Sequence, residues 1–111
     1  MTKQELNQLA AKISNLNDLI EYQEGSVVSR TLIDKEAGTV TLFAFADGQG
    51  LSEHTAPFDA MVQVLEGTVE VKINGKPITL NQGEITIMPA NKPHALSAKS
   101  RFKMLLTMIK S

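Results

Sequence analysis

Two histidines, His54 and His94, are the residues of this chain best suited to do chemistry. An imidazole can transfer a proton near neutral pH, hydrogen-bond a polar ligand, or bind a metal ion through a ring nitrogen. The chain contains no cysteine, so a thiol nucleophile and a thiolate metal ligand are both excluded. Because isolated imidazoles in largely apolar surroundings need a functional reason, we expect this pair to form the polar end of a site.

Three further side chains are weaker candidates. Asp59 either acts as the carboxylate partner or acid/base beside His54, or is a turn residue that hydrogen-bonds its own backbone, and we favour the turn. The guanidinium groups of Arg30 and Arg101 are suited to bind a carboxylate, but the spacing of these residues does not distinguish them from surface charges. No serine stands in a nucleophile-elbow context, and the glycines of residues 48–50 lead into strand sequence. These observations argue against a Ser-His-Asp triad and a phosphate-binding loop.

The elements that must position these residues are mainly strands. From Leu19 onward, short apolar or alternating runs are separated by turn residues, among them the hairpin-forming pair Asn74-Gly75. The runs are residues 19–22, 27–33, 39–46, 60–65, 68–73, 78–80, 84–88, 94–98 and 102–109. Residues 1–19 instead begin with a capping box and repeat apolar residues at three- and four-residue steps, which predicts a helix. The pattern therefore predicts an all-β sandwich or barrel, one domain over residues 1–111, with a helical arm.

Composition excludes several classes of partner. Lys and Arg number 11 against 12 Asp and Glu among the 111 residues, so there is no basic field for a nucleic acid. No apolar run approaches the roughly 18–20 residues that span a bilayer, and the N-terminus lacks a secretion signal. Aromatic residues make up 5% of the chain, which argues against base or sugar stacking. We expect a cytoplasmic protein without a membrane or nucleic-acid partner.

Two segments carry a family resemblance. Residues 50–67, GLSEHTAPFDAMVQVLEG, resemble the first motif of the cupin family, and residues 83–94, GEITIMPANKPH, resemble its second. The second segment has the family's spacing of glycine, five residues, proline, four residues and histidine. The resemblance covers roughly residues 38–109 and implies a double-stranded β-helix, or jelly-roll barrel, that is often dimeric.

The metal-ligand set that the resemblance implies is incomplete. In metal-binding cupins the first motif supplies two histidines and a glutamate, and the second supplies one histidine. His54 and His94 occupy two of these positions, but Ala56 stands at the second histidine and Ala60 at the glutamate. Asp59 is one residue away, which in a regular strand is the opposite face. We therefore expect no firmly bound cofactor, with one weakly held divalent metal at His54 and His94 as the alternative.

Strand alternation predicts what surrounds the histidines. The two alanines leave space, and methionine side chains adapt to irregular apolar ligands, although each methionine is equally suited to core packing. The predicted ligand pocket consists of His54, His94, Ala56, Ala60, Val62 and Met104. Our leading hypothesis is a cupin that binds a small, largely apolar organic molecule, with the histidines at its polar end.

Two other functions stay open from the sequence. One is a metal-dependent enzyme of the dioxygenase, isomerase or lyase type, and the other is a structural dimer module whose pocket admits only water. The small size, the apolar helix stripe and the apolar last strand, residues 104–109, also predict a homodimer.

Overall fold

Alternating side chains form nine strands in the computed structural model, which describes residues 8–111. The strands are β1 Val27–Lys35, β2 Gly38–Phe45, β3 Gly50–His54, β4 Phe58–Glu66, β5 Thr68–Ile73, β6 Lys76–Asn81, β7 Ile85–Met88, β8 His94–Ala98 and β9 Phe102–Lys110. They form two antiparallel sheets, in the orders β1-β2-β9-β4-β7 and β3-β8-β5-β6. The predicted all-β jelly roll is confirmed.

The core lies between the two sheets. On β4 the alternate residues Ala60, Val62 and Val64 are buried, as the period of two predicts. Phe45 of β2 stacks on Phe102 of β9 with ring centroids 4.5 Å apart, and both side chains are fully buried. Side chains from both sheets join one buried cluster, so apolar burial holds the sheets together.

Two turns depend on backbone with positive φ. Asn74 and Gly75 have φ values of 54° and 80° and connect β5 to β6, which confirms the predicted two-residue hairpin. Gly67 joins β4 to β5 at φ 83°. A Cβ atom at Gly67 would lie 2.1 Å from the carbonyl oxygen of Arg101, so this turn requires glycine for space as well as conformation.

The predicted N-terminal helix is wrong beyond Leu9 in the part of the chain that the structure describes. The capping box lies in residues 1–7, outside the described residues. Helical backbone ends at Leu9, Ala11 adopts a positive φ of 59°, and a separate 3-10 turn spans Leu16–Leu19. The side chain of Asn15 accepts a hydrogen bond from the backbone N–H of Asn17 at 3.0 Å. This cap begins a new turn, so it replaces continuation of the first helix.

The segment that follows is also not a strand. Residues 19–22, predicted as a strand, pack on the outer face of the five-stranded sheet without pairing with it. The Tyr22 hydroxyl donates to a Glu66 carboxylate oxygen at 2.7 Å, and the Lys103 ammonium donates to the Asn17 carbonyl at 2.8 Å. These side-chain bonds take the place of a strand ladder. Ile13, a member of the predicted apolar stripe, is fully exposed.

Within residues 8–111, no helix has the length and apolar character needed to cross a membrane.

Candidate functional site

A small cavity opens between the two sheets beside His54. Its volume is about 40 Å³. The lining residues are Leu51, His54, Ala56, Phe58, Ala60, Met88, His94, Leu96, Met104, Leu106 and Met108. His54 and His94 are the polar members of this wall, and the other nine side chains are apolar. The arrangement is an apolar cavity with one polar end.

A β-bulge aims His54 into the cavity. In the β3–β8 pairing, Leu51 lies opposite Leu96 and His54 lies opposite His94. Three steps along β3 therefore match two steps along β8, so β3 contains one extra residue. In a regular strand Leu51 and His54 would face opposite sides of the sheet, whereas both line this cavity.

The two imidazoles meet through one nitrogen each. Their Nε2 atoms are 3.2 Å apart, and the rings cross at 69°. Each Nδ1 lies near a backbone carbonyl two residues earlier, His54 at 2.8 Å from Ser52 O and His94 at 3.2 Å from Lys92 O. The backbone therefore sets the orientation of both rings.

The two histidines differ in exposure. His54 is exposed at the mouth of the cavity, whereas His94 is 5% exposed. Burial lowers the pKa of His94; the bond to the Lys92 carbonyl opposes this shift, and the neighbouring His54 adds to it. His94 is consequently held toward its neutral form.

Five of the six predicted pocket residues come together in the cavity wall. Ala56, Ala60 and Met104 line it beside the two histidines. Val62 is fully buried in the core cluster and is not part of the wall. That these residues bind a ligand remains a prediction.

Sequence reasoning missed several residues of the wall. Leu51 lies on β3, where mostly exposed, polar residues leave no run of apolar residues from which a strand could be predicted. Met88 lies opposite Ala60 in the β4–β7 pairing, and Met108 lies opposite the same alanine in the β4–β9 pairing. The strand register places these methionines beside Ala60, and the register cannot be read from the sequence alone.

The remaining charged candidates lie outside the cavity wall. Asp59 is in β4, and its Oδ1 accepts a hydrogen bond from the Ala90 backbone N–H at 2.9 Å. It is thus neither a partner of His54 nor a turn residue that bonds its own backbone. Arg30 donates to the Leu19 carbonyl at 3.0 Å, and the Arg101 guanidinium lies 4.8 Å from the centroid of the Tyr22 ring.

The side chains present do not form the set of four metal ligands that metal-binding cupins have. Ala56 and Ala60 line the cavity at two of the four ligand positions and offer no lone pair. Among residues 8–111, no group of three or more histidine, cysteine, aspartate and glutamate side chains is placed to hold an ion. Catalytic zinc sites take three protein ligands and structural sites take four, so two imidazoles leave either kind incomplete.

Known proteins share both the fold and the sequence pattern. A conserved protein of unknown function from Streptococcus pyogenes is 35% identical, with a TM-score of 0.88, over 91% of this chain and 89% of its own. A cupin superfamily protein from Desulfitobacterium hafniense is 32% identical, with a TM-score of 0.86, over 91% of this chain and 93% of its own.

A cupin 2 conserved barrel domain protein from Leptotrichia buccalis is 42% identical, with a TM-score of 0.85, over 87% of this chain and 47% of its own. None of the curated proteins matches the chain. The sequence model of the cupin domain matches residues 41–110. Together with the two-sheet barrel and its paired histidines, this match shows that the chain belongs to the cupin family.

Proposed function

We propose that the protein binds a small, largely apolar organic molecule in the cavity, with the polar group of that molecule at His54 and His94. The observation that carries the proposal is the composition of the wall: nine apolar side chains surround a single polar end. This combination of apolar surface and one orienting polar group is characteristic of small-molecule sites.

The size of the cavity limits the ligand. A volume of about 40 Å³ accommodates roughly two or three water molecules. A ligand therefore enters with a compact group of a few atoms, and any larger part of it extends past the exposed His54. Met88, Met104 and Met108 line the wall, and their flexible side chains allow limited widening.

The two competing hypotheses require different features of the same cavity. A metal-dependent enzyme needs donors beyond His54 and His94, and the alanines at positions 56 and 60 do not provide them. A structural module without a ligand needs only a water-filled space of this volume.

Binding is tested by NMR on protein labelled at the methionine methyl groups. We expect small apolar compounds of four to seven heavy atoms, each with one polar group, to shift the methyl signals of Met88, Met104 and Met108. Ala60→Val fills the space next to two of these methionines and should abolish the shifts. Met61→Leu, on the opposite face of the same strand, is the matched control and should preserve them.

Two results would contradict the proposal. One is the absence of any shift at millimolar compound concentrations, which favours the structural module. The other is an equal response in Ala60→Val, which places the binding outside the cavity.

A further inference from the structure

The hydrogen-bonding capacity of the His54–His94 pair limits the chemistry of the ligand. A carbonyl oxygen can only accept a hydrogen bond, so the Nδ1 atoms facing Ser52 O and Lys92 O must both carry hydrogen. In a neutral imidazole the other nitrogen then holds a lone pair. When both rings are neutral, both Nε2 atoms are consequently acceptors.

These two acceptors face the same small space. The Nε2 atoms are 3.2 Å apart, yet in these tautomers neither has a hydrogen to give to the other. A third group must supply the hydrogen, and the side chains around the cavity do not. Among the described residues, the other nine lining side chains are all apolar.

We infer that the group recognised at this end of the cavity is a hydrogen-bond donor, a hydroxyl rather than a carbonyl, ether or carboxylate. The inference rests on the proposed function and names its ligand class. A hydroxyl donates its one hydrogen to one of the two Nε2 lone pairs or shares it between them, whereas a group with acceptors alone leaves its own oxygen and both nitrogens unpaired. Because unpaired buried polar groups are costly, we expect roughly tenfold or greater discrimination.

The tautomers are measured directly by nitrogen-15 NMR of the histidine side chains, on chelator-treated protein at about pH 8, where free histidine is neutral. The expected result is protonated Nδ1 and unprotonated Nε2 in both His54 and His94. A hydrogen on Nε2 of either ring at that pH overturns the inference, because the cavity would then contain a donor.

The selectivity is measured with 2-propanol and acetone, which have nearly the same shape and differ in donor capacity. Binding is followed through the pocket methionine methyl signals. We expect 2-propanol to bind at least about tenfold more tightly than acetone. Equal affinities overturn the donor inference but leave the proposed function standing. If neither compound binds, both are overturned.

A matched variant separates recognition from packing. His54→Gln places an amide, which can donate as well as accept, at the exposed mouth of the cavity. The ratio of the two affinities should fall toward one in this variant, and an unchanged ratio counts against the pair as the discriminating group. Metal analysis of the freshly purified protein completes the test. Near one metal per chain, lost in His94→Gln, would assign the lone pairs to an ion and overturn the inference.

Discussion

At the scale of single residues, the environment of His94 makes stability depend on pH. Burial lowers its pKa below the ordinary value of 6.5, so between the two pKa values the unfolded state binds more protons than the folded state. This contribution is fully present above about pH 6.5 and is lost as the pH falls through the folded pKa.

The pH effect is measured by urea unfolding between about pH 7.5 and pH 5. The wild type should lose more stability over this range than His94→Gln, which lacks the titrating group. The remaining ionisable groups are common to both proteins, so the difference between the two curves reports the loss of His94. Parallel curves would show that protonation of His94 is not linked to folding.

A second residue-scale prediction concerns Ala56 and Ala60. Restoring histidine and glutamate at these positions, in the double variant Ala56→His/Ala60→Glu, completes four donors around the cavity. Loss of second-shell partners alone changes metal affinity by roughly 10–100-fold, so two restored ligands should raise zinc or nickel affinity by at least about 100-fold. Equilibrium dialysis with elemental analysis measures this change.

The control for that experiment is Gln63→Glu, which adds a carboxylate to the outer face of the same strand. It should leave metal affinity unchanged. If the double variant gains no affinity either, the cavity is not a metal site that lost two ligands, and the enzyme hypothesis loses its main support.

At the scale of elements, the β4–β5 turn at Gly67 joins the two sheets. Gly67→Ala should destabilise the protein by more than the roughly 1–3 kcal/mol of a strained left-handed residue, because the new Cβ also collides with the Arg101 carbonyl 2.1 Å away. Gly48→Ala is the matched control, since Gly48 has φ 79° and nothing within 4 Å of the added atom. Thermal or urea unfolding should rank Gly67→Ala as the more damaging change, and equal losses would rule out the collision.

Element-scale geometry also explains how the site is assembled. The bulge in β3 turns His54 inward, and Asp59 ties the start of β4 to Ala90 in the loop before β8. Asp59 thus acts on the site through the backbone that leads to His94 rather than through a contact with an imidazole.

At the scale of the whole molecule, the outer face of the five-stranded sheet divides into two halves. The N-terminal segment covers one half, while Ile85 and Ile87 on β7 are 56% and 50% exposed at the other. Met61 and Ile109 lie on the same uncovered half. An apolar surface of this kind fits the predicted homodimer.

Analytical ultracentrifugation at about 10 μM tests the dimer. We expect a dimer for the wild type, and Ile87→Glu should weaken association by roughly 100-fold, because a carboxylate would be buried at the contact. Ile78→Glu, on β6 of the other sheet, is the control and should leave the dimer intact. A wild type that sediments as a monomer would show the homodimer prediction to be wrong.

Most of the strands, the hairpin turn and the inward face of β4 are predictable from the sequence, because they follow from a period of two and from the φ preferences of Asn74 and Gly75. The exceptions are β3, which was missed, and residues 19–22, which were wrongly predicted as a strand. The motif spacing likewise identified His54, His94, Ala56 and Ala60 as residues of one pocket. The pairing of the strands, in contrast, follows from the tertiary structure. Register depends on contacts between residues far apart in the chain, which local periodicity does not encode.

That register places Met88 and Met108 beside Ala60 and includes the bulge that turns His54 into the cavity. Val62, in contrast, is buried in the core and does not line the cavity. The N-terminal segment departs from its predicted helix for a related reason. Its apolar spacing suits a helix, but the cap at Asn15 and side-chain bonds to the outer sheet face stabilise another path. Cavity volume also depends on tertiary packing, since it is the small space left after many side chains have packed.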